Sequence, residues 1–397
     1  MVKQRFWLLA MFLILGLCGC KSNEYMLDGI FASEEKLPEY DVQNEYVYPG
    51  GMICEYKETI YTVSDLEYIV FIDENGESGE LCGKPECMHN VRSCNANVVD
   101  GAFGLRVYEG KLYWVGSDPA EFGVLSMYLW RMDLDGTNRE KLKEMQPFDV
   151  NTDIIYMIHR GCIYIAGINA KVEDARAMQV VQIYAEPMVG DGIIEILSKE
   201  YLDTSVYCRT KMVGTQMYIM ISTIDSSGQY GIELYVWNGQ TGKLKTILIE
   251  GNIGFSAWDI WIQNGTIYIS TRNIRGDNSA EVYLLDDNKK MLLRCFSFED
   301  NIYTAANITE NAVVSIGKNP DGTLVICAKN FEGNTLFEKS VKIEGLSMER
   351  RYGRRFIGGT EGSLKFVFID HETGQNYIVA FTDSSDEGQI LWTEERA

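Results

Sequence analysis

The chain has 397 residues, of which 46% are hydrophobic, so it is long enough to bury a large core. Its formal net charge is −21, from 36 basic and 57 acidic side chains. This balance argues against nucleic acid as a partner, because binding phosphates needs a basic surface, and it repels anionic lipid head groups. General solubility outside the cell is the simpler explanation of the charge.

The N-terminus has the features of a secretion signal. Lys3 and Arg5 precede an uninterrupted apolar run at residues 6–17. That run is too short to span a bilayer, which takes about 20 apolar residues, but it fits the hydrophobic region of a signal peptide. It ends in Leu-Cys-Gly-Cys at residues 17–20, which resembles the lipobox of bacterial lipoproteins.

The resemblance to a lipobox implies a lipid anchor on Cys20. A signal peptide of residues 1–19 would be removed, and acyl chains such as palmitate would hold Cys20 at the extracytoplasmic face of the cell membrane. Two or three acyl chains anchor stably, because each buried CH₂ contributes about 0.8 kcal/mol. An ordinary secretory signal with a chance cysteine is the alternative. Residues 20–44 are polar and acidic and are predicted to be a spacer, followed by one domain at 45–397.

A repeat of about 50 residues runs through that domain. Each copy has a turn residue followed by an alternating run with an aliphatic-aromatic pair, and the tyrosines of the first five copies are Tyr61, Tyr113, Tyr164, Tyr218 and Tyr268. In the last two copies Val314 and Lys365 take the tyrosine position. A second aromatic column follows in phase, and a third short apolar run follows that. The pattern predicts about four short strands per repeat.

The expected fold is an all-β propeller with seven four-stranded blades. A single four-stranded sheet cannot bury both its faces, whereas sheets packed around an axis can, and ring closure protects their edges. Six or eight blades are alternatives because the last copies are degenerate, and a β-sandwich or two all-β domains would be a different solution. A strand at residues 45–48 is expected to complete the last blade.

One blade carries a family resemblance. The segment LWRMDLDGTNREKL at residues 129–142 resembles the blade signature of TolB-like and low-density-lipoprotein-receptor-like β-propellers. Together with the lipobox, it resembles a group of uncharacterised propeller lipoproteins of clostridia-like bacteria, some of which carry a C-x-K-P-x-C-x-H segment like the one at residues 82–89. The resemblance implies the fold; it adds little about function, since propellers host many unrelated tasks.

The segment at residues 82–100 has the most distinctive chemistry. Cys82, Cys87, His89 and Cys94 provide three thiols and an imidazole within 13 residues, which is a ligand set of a closed tetrahedral zinc site. Lys84 and His89 would favour thiolates, and Pro85 would stiffen the turn between the first ligands. A metal of this kind would be structural, because no coordination position is left for water or substrate. A disulfide between two of the cysteines, or free thiols in an ordered loop, are the alternatives.

The remaining cysteines and histidines read as structural. Of the 10 cysteines, five lie in apolar runs and are predicted to be buried thiols without disulfides: Cys54, Cys162, Cys208, Cys295 and Cys327. His159 lies in an apolar strand and is expected to be a satisfied core residue. His371 lies in a turn and is expected at the surface. No known catalytic motif occurs, so no catalytic residue is assigned.

The loops between the two aromatic columns are long in the second to fifth repeats. In a propeller they lie on the same face as the connections between blades, so they should share a face with the Cys82–Cys94 segment. Residues suited to contact a partner there are Phe122, Arg176, Tyr230, Arg272 and Arg275. The sequence thus favours a monomeric, membrane-anchored binding module with a protein or glycan ligand. An enzyme acting on an extracellular glycan, or a structural component of the envelope, is the alternative.

Overall fold

The tyrosine-containing repeats form β-strands, as their alternation predicts. The computed structural model describes the chain in the following ranges: 41–43, 51–64, 67–89, 92–98, 102–118, 126–146, 152–173, 176–272, 280–286, 288–298, 305–319, 323–346, 352–360, 362–382 and 384–394. These residues contain 29 strands and no α-helix, so the class is all-β. A search of the described part of the chain found no helix with the length and apolarity needed to cross a membrane.

After the short strand β1 (Val42–Gln43), the strands fall into consecutive antiparallel groups of four, which we call units and number along the chain. The first three units are built as follows. Unit 1 contains β2 (Ile53–Tyr56), β3 (Thr59–Val63), β4 (Ile69–Ile72) and β5 (Ser78–Glu80). Unit 2 contains β6 (Phe103–Tyr108), β7 (Lys111–Gly116), β8 (Tyr128–Asp133) and β9 (Glu140–Glu144). Unit 3 contains β10 (Thr152–His159), β11 (Cys162–Glu173), β12 (Arg176–Pro187) and β13 (Ile194–Leu202).

The later units repeat this order. Unit 4 contains β14 (Ser205–Val213), β15 (Gln216–Ile224), β16 (Tyr230–Asn238) and β17 (Lys243–Gly251). Unit 5 contains β18 (Ser256–Gln263), β19 (Thr266–Arg272), β20 (Glu281–Asp286) and β21 (Met291–Ser297). Unit 6 contains β22 (Asn307–Ile308), β23 (Val313–Lys318), β24 (Leu324–Lys329) and β25 (Thr335–Ile343). Unit 7 contains β26 (Tyr352–Thr360), β27 (Ser363–Asp370), β28 (Asn376–Thr382) and β29 (Glu387–Thr393).

The units pack face to face around an axis and close into a ring. Each hydrophobic cluster of the core draws on two neighbouring units, including a cluster that joins unit 7 to unit 1 through Ile60, Ile72 and Ile378. Outer strands β25 and β29 also pair in parallel. The fold is therefore a β-propeller, as predicted. The expected count of seven blades stays a prediction, because several connections between units lie outside the described residues.

Each unit has two ends with different connections. The turns between its first and second strands, and between its third and fourth, lie at one end, which we call the turn face. The loops between second and third strands, and the connections between units, lie at the other end, which we call the loop face. The first strands of neighbouring units contact each other, as β2 contacts β6 and β26, and so line the central axis.

The N-terminal segment departs from its prediction. Residues 41–43 belong to the stretch 20–44, for which a spacer was expected, yet Val42 pairs with Val213 and Gln43 with Met212 on the first strand of unit 4. Asp41 and Gln43 are buried. These three residues are thus part of the propeller. The strand expected at residues 45–48 lies outside the described residues, and unit 7 has four strands of its own.

Candidate metal centre and the surfaces around it

The Cys/His loop, residues 82–98, joins β5 of unit 1 to β6 of unit 2. Its end returns to unit 1 through backbone hydrogen bonds: Ile69 N donates to Ala96 O at 2.8 Å, and Val98 N donates to Glu67 O at 2.7 Å. Tyr68 and Asn97 form an antiparallel bridge. Unit 1 therefore holds both ends of the loop beside β4, and the ligand residues between them have a fixed position relative to the sheet.

The loop brings the predicted ligands together. One ligand atom from each of Cys82, Cys87, His89 and Cys94 lies within 4.8 Å of the others, and His89 Nδ1 is 3.4 Å from Cys94 Sγ. In a tetrahedral zinc site, bonds of about 2.3 Å to sulfur and about 2.0 Å to nitrogen place the ligand atoms roughly 3.5–3.8 Å apart. The four residues thus fit a metal ion after a contraction of about an ångström.

The local backbone prepares this arrangement. Cys87 N donates to Lys84 O at 3.1 Å, which closes a turn around Pro85, and His89 adopts a φ of 53° that reverses the chain. Burial raises the pKa of the Cys82 thiol, but N–H groups of Lys84 and Asn95 donate to its sulfur and leave the pKa lowered overall. Peptide N–H donors of this kind stabilise a thiolate, the form that binds metals.

Cys94 is the most deeply placed ligand. Burial raises the pKa of its thiol to about 12, while the backbone N–H of Ala96 opposes this and the neighbouring thiols Cys82 and Cys87 add to it. A cluster of thiols that share protons in this way needs a cation to become fully deprotonated. The Lys84 ammonium, a cation expected near these thiols, donates to the carbonyl oxygen of Ser93, the residue before Cys94.

No disulfide joins the cysteines of the described residues. This applies to the three cysteines of the Cys/His loop and also to Cys54, Cys162, Cys208, Cys295 and Cys327, which were predicted to be buried free thiols. Cys162, Cys208 and Cys327 are buried in the core, whereas Cys54 and Cys295 are only half-buried.

The Cys/His loop also docks on unit 2, through two glycines. Gly83 N donates to Gly136 O at 2.9 Å. A Cβ on Gly136 would lie 2.6 Å from Gly83 N, and a Cβ on Gly83 would lie 2.2 Å from Thr137 Cγ2, so neither position admits a side chain. Gly136 has a φ of +79° in the Asp-Gly turn of the TolB-like signature. The two most distinctive motifs of the sequence are thus in direct contact.

Arg139, from the same signature, holds the far half of the loop. Its Nη1 donates to three carbonyl oxygens, those of Cys94, Asn95 and Asn97, at 3.2, 3.2 and 2.6 Å. The guanidinium stacks 4.3 Å above the ring of Trp130. Burial lowers the pKa of Arg139 to about 10. A guanidinium that is buried on an indole and bonded to carbonyls is a fixed structural clamp between units 1 and 2.

The Cys/His segment was expected on the loop face, where the connections between units lie. It leaves unit 1 at that end, because Leu81 N donates to Ile69 O at 2.8 Å at the start of β4, and it returns there through the bridge between Tyr68 and Asn97. Between these points Cys82 and Gly83 contact Gly136, in the turn between the third and fourth strands of unit 2. The loop therefore reaches from the loop-face end of unit 1 to a turn of unit 2.

The other predicted residues are placed as follows. His159 is 1% exposed, and its Nε2 lies 2.6 Å from Gly214 O, so it is a satisfied core residue as predicted. His371 is exposed in a turn, also as predicted. Arg176, Tyr230 and Arg272 lie at the loop face, at ends of β11–β12, β16 and β19. Cys20, Phe122 and Arg275 lie outside the described residues.

A short segment that was not predicted from the sequence contacts three units at the turn face. Arg160 in unit 3 forms a bidentate pair with the Asp41 carboxylate, and Gly214 N donates to Asp41 O at 2.9 Å. Arg106 Nη1 in unit 2 donates to Gln43 Oε1 at 2.9 Å. Residues 41–43, which we call the N-terminal clip, thus contact units 2, 3 and 4. Their polar, acidic surroundings in sequence gave no sign of burial.

Comparisons with known proteins support the fold only. No protein-family model and no curated protein matches the sequence. Among solved structures, a prolyl endopeptidase aligns at a TM-score of 0.53 with 11% identity over 89% of this chain, and this chain spans about half (50%) of that one. An ulvan lyase in complex with a fragment of its polysaccharide aligns at 0.51 with 12% identity, over 91% of this chain and 98% of that one. TolB from Acinetobacter baumannii aligns at 0.37 with 13% identity, over 71% and 64% of the two chains. The β-propeller domain of the trilobed protease from Pyrococcus furiosus aligns at 0.46 with 12% identity, over 90% of this chain and 100% of that one.

Proposed function

We propose that the protein is an extracytoplasmic lipoprotein, anchored through lipid on Cys20, and that its propeller is an interaction module stiffened by a structural zinc ion on Cys82, Cys87, His89 and Cys94. The observation that carries the proposal is the approach of four ligand atoms to within 4.8 Å of one another in a loop clamped between two units. All four ligands come from the protein. The ion therefore stabilises the fold and takes no part in a reaction.

The role of the zinc ion follows from the contacts around it. The Cys/His loop touches unit 1 through Ile69 and unit 2 through Gly136 and Arg139. A metal that fixes the loop thus fixes the relative position of two neighbouring units. A stiff ring presents its loops with a small entropic cost on binding, which is how rigid scaffolds serve recognition.

The zinc proposal is tested by elemental analysis of residues 21–397 purified under reducing conditions. We expect a single zinc ion per chain, and its loss in Cys94→Ser. Cys295→Ser is the matched control, because Cys295 is a partly buried cysteine of unit 5 remote from the loop, and it should keep its zinc. Replacement by Co²⁺ should give thiolate-to-cobalt charge-transfer absorption in the wild type and not in Cys94→Ser. Wild-type protein without stoichiometric zinc contradicts the proposal.

A glycan ligand is favoured over a protein ligand by one site at the loop face. Trp258 sits at a register shift of β18 between Ala257 and Asp259. The guanidinium of Arg272, an exposed residue, lies 4.7 Å from its ring centroid, and that of Arg209 lies 5.4 Å away. Arg209 is buried, so the exposed guanidinium of Arg272 beside the indole is the group suited to a sugar ring that carries a carboxylate. Bulges commonly re-aim a side chain near functional sites.

The ligand class is tested on an array of neutral and uronate-containing glycans, with a pull-down from envelope extract in parallel. We expect retention of uronate-containing chains, weakened in Arg272→Ala and unchanged in Arg176→Ala, since Arg176 is also exposed at the loop face but lies at the β11–β12 hairpin. Turnover of a retained glycan, seen as new reducing ends or unsaturated products, would favour the alternative of a glycan-acting enzyme. Equal binding by both variants contradicts a role for the Trp258 site.

A further inference from the structure

The N-terminal clip determines where the anchoring chain meets the propeller. β1 runs antiparallel to β14, with Val42 opposite Val213, and Gly214 N donates to Asp41 O at 2.9 Å. Gly214 and Arg160, the two partners of Asp41, belong to turns of units 3 and 4 at the turn face. The chain therefore enters the fold at the turn face, and its ion pair and backbone bonds fix that entry point.

The same face carries exposed apolar side chains in four consecutive units. They lie at or beside the turns between third and fourth strands, where edge strands begin. Their exposed fractions decide the point: Val189 84% and Ile193 43% in unit 3, Leu244 37% in unit 4, Met291 41% in unit 5 and Leu336 47% in unit 6. Apolar residues exposed singly are ordinary on protein surfaces, and the loop-face ends of unit 3 have Val172 and Leu202, but the turn-face residues recur beside the same turn in neighbouring units.

Lysines accompany this apolar series in two of the units. Exposed Lys243 and Lys245 flank Leu244, and exposed Lys289 and Lys290 precede Met291. Lys289 is 3.3 Å from Asp286, and the exposed acids Asp191 and Glu332 lie at the turns of units 3 and 6. The turn-face edge of units 4 and 5 is thus locally basic in a chain whose net charge is −21. Lysines beside apolar side chains are typical of surfaces that rest in lipid head groups.

We propose that the turn face lies against the membrane that holds the Cys20 lipid, with Leu244, Met291 and Leu336 among the head groups and the loop face turned outward. This orientation rests on the lipid anchor of the proposed function. In this orientation the bilayer surface covers the exposed apolar residues of the turn face. The Trp258 site faces away from the membrane and remains accessible to extracellular ligands.

The length of the tether supports this orientation. Residues 21–40 separate Cys20 from Asp41. Fully extended, 20 residues span at most about 70 Å, and a polar spacer of that length has a root-mean-square extent of roughly 25 Å. Strand β14, with nine residues, makes a unit about 30 Å tall. With the loop face on the bilayer, the tether would have to cover that height, which exceeds its root-mean-square extent.

The test uses the full lipidated protein in vesicles of phosphatidylcholine and phosphatidylglycerol, with and without brominated acyl chains, which quench nearby tryptophan. Leu336→Trp places the probe at the turn face and Leu202→Trp at the loop-face end of β13; both leucines are 47% exposed, so the pair is matched. We expect Leu336→Trp to lose fluorescence in brominated vesicles beyond the loss of the parent protein, and Leu202→Trp to match the parent.

Two readouts separate the proposals. Flotation with the vesicles, which Cys20→Ala should abolish, reports the anchor. Thermal unfolding shows that both tryptophan variants are folded. Protein that floats but gives equal quenching at positions 336 and 202, or stronger quenching at 202, overturns the orientation alone. Wild-type protein that does not float overturns the anchor and the orientation with it.

Discussion

Lys365 in β27 forms an ion pair with Glu55 in β2, and so joins the last unit of the chain to the first. Its Nζ also donates to Glu58 O at 3.2 Å. The Lys365 side chain is 4% exposed and that of Glu55 is 16% exposed. Lys365 stands where earlier repeats have a tyrosine, so the departure from the repeat has a physical reason. The interface between unit 7 and unit 1 is thus stabilised by a buried cation paired with a carboxylate.

We expect Glu55→Ala to lower the free energy of unfolding by about 3–5 kcal/mol, because it leaves the Lys365 ammonium buried without its counter-charge. The double variant Glu55→Leu, Lys365→Met should recover most of this loss, since an apolar pair removes the desolvation cost of both ions. Urea titration followed by far-ultraviolet circular dichroism measures both. Lys289→Ala is the control, because its pair with Asp286 is 64% exposed on the lysine side and is therefore screened by water. A loss in Glu55→Ala no larger than in this control contradicts the closing role.

The strands were predictable from the sequence, but the long-range ion pairs that join the last unit to the first and the N-terminal clip to unit 3 were not. Tyrosines 113, 164 and 218 recur in phase, and alternation places them on second strands because it is a local property of the chain. The ion pair of Lys365 joins residues 310 positions apart, and that of Asp41 with Arg160 joins residues 119 apart. No local period encodes such pairs in a single sequence.

The ligands of the candidate metal centre were predictable from the sequence, but the residues that support the Cys/His loop were not. Its ligands lie within 13 residues, so spacing and chemistry identify them. Its supports lie 42–45 residues further on, in Arg139. From the sequence, Arg139 was identified only as part of the blade signature at residues 129–142.

Gly136→Ala should uncouple the Cys/His loop from unit 2. The new Cβ would lie 2.6 Å from Gly83 N and 2.7 Å from Cys82 N, so the loop must move. Gly110→Ala is the matched control, because Gly110 has a similar φ of +72° but nothing lies within 4 Å of its added Cβ. Both variants carry the backbone strain of about 1 kcal/mol. Only Gly136→Ala should lose more stability than this and release zinc faster to a chromogenic chelator. Equal behaviour of the two variants would show that the contact with Gly83 is immaterial.

His159 should make stability depend on pH. Burial lowers its pKa to about 4 from the ordinary 6.5, and although Gly214 O and Asp41 oppose this, Arg160 and Arg106 add to it. Gln43 cannot rearrange to accept a proton from Nδ1, because its Oε1 accepts from Arg106 and its Nε2 donates to Ile158 O. The imidazole is therefore neutral when folded, with its Nε2–H donating to Gly214 O.

The direction in which stability changes with pH follows from proton uptake by His159. Between pH 6.5 and 4 the unfolded chain binds a proton at His159 that the folded chain does not, so stability is complete above pH 6.5 and falls as the pH approaches 4. At about 1.4 kcal/mol per pKa unit the loss is about 3 kcal/mol. Urea midpoints at pH 7.5 and 4.5 measure it. His159→Gln should flatten this part of the profile, whereas His371→Gln, at an exposed turn, should not. An unchanged profile in His159→Gln would assign the pH dependence to other groups.

Glu233 should be the strongest polar link between units 3 and 4. Its Oε2 accepts from Lys199 Nζ at 2.7 Å, from Tyr201 OH at 2.9 Å and from Tyr235 OH at 2.5 Å, and the residue is 8% exposed. Burial raises the pKa of both tyrosines, with Glu233 adding to the effect.

Glu233→Gln keeps the shape of the side chain but removes the charge that draws three donors to one oxygen. We expect a loss of about 1.5–3 kcal/mol, as for hydrogen bonds to a charged group. Glu281→Gln is the matched control, since Glu281 lies in the equivalent strand of unit 5. Glu281 accepts a hydrogen bond from Tyr283 OH at 2.5 Å and pairs with Arg294, whose side chain is 61% exposed. That change should cost less than about 1 kcal/mol, because water replaces an exposed partner. Urea titration of the two variants in parallel decides the matter, and a smaller loss in Glu233→Gln than in Glu281→Gln would contradict the link.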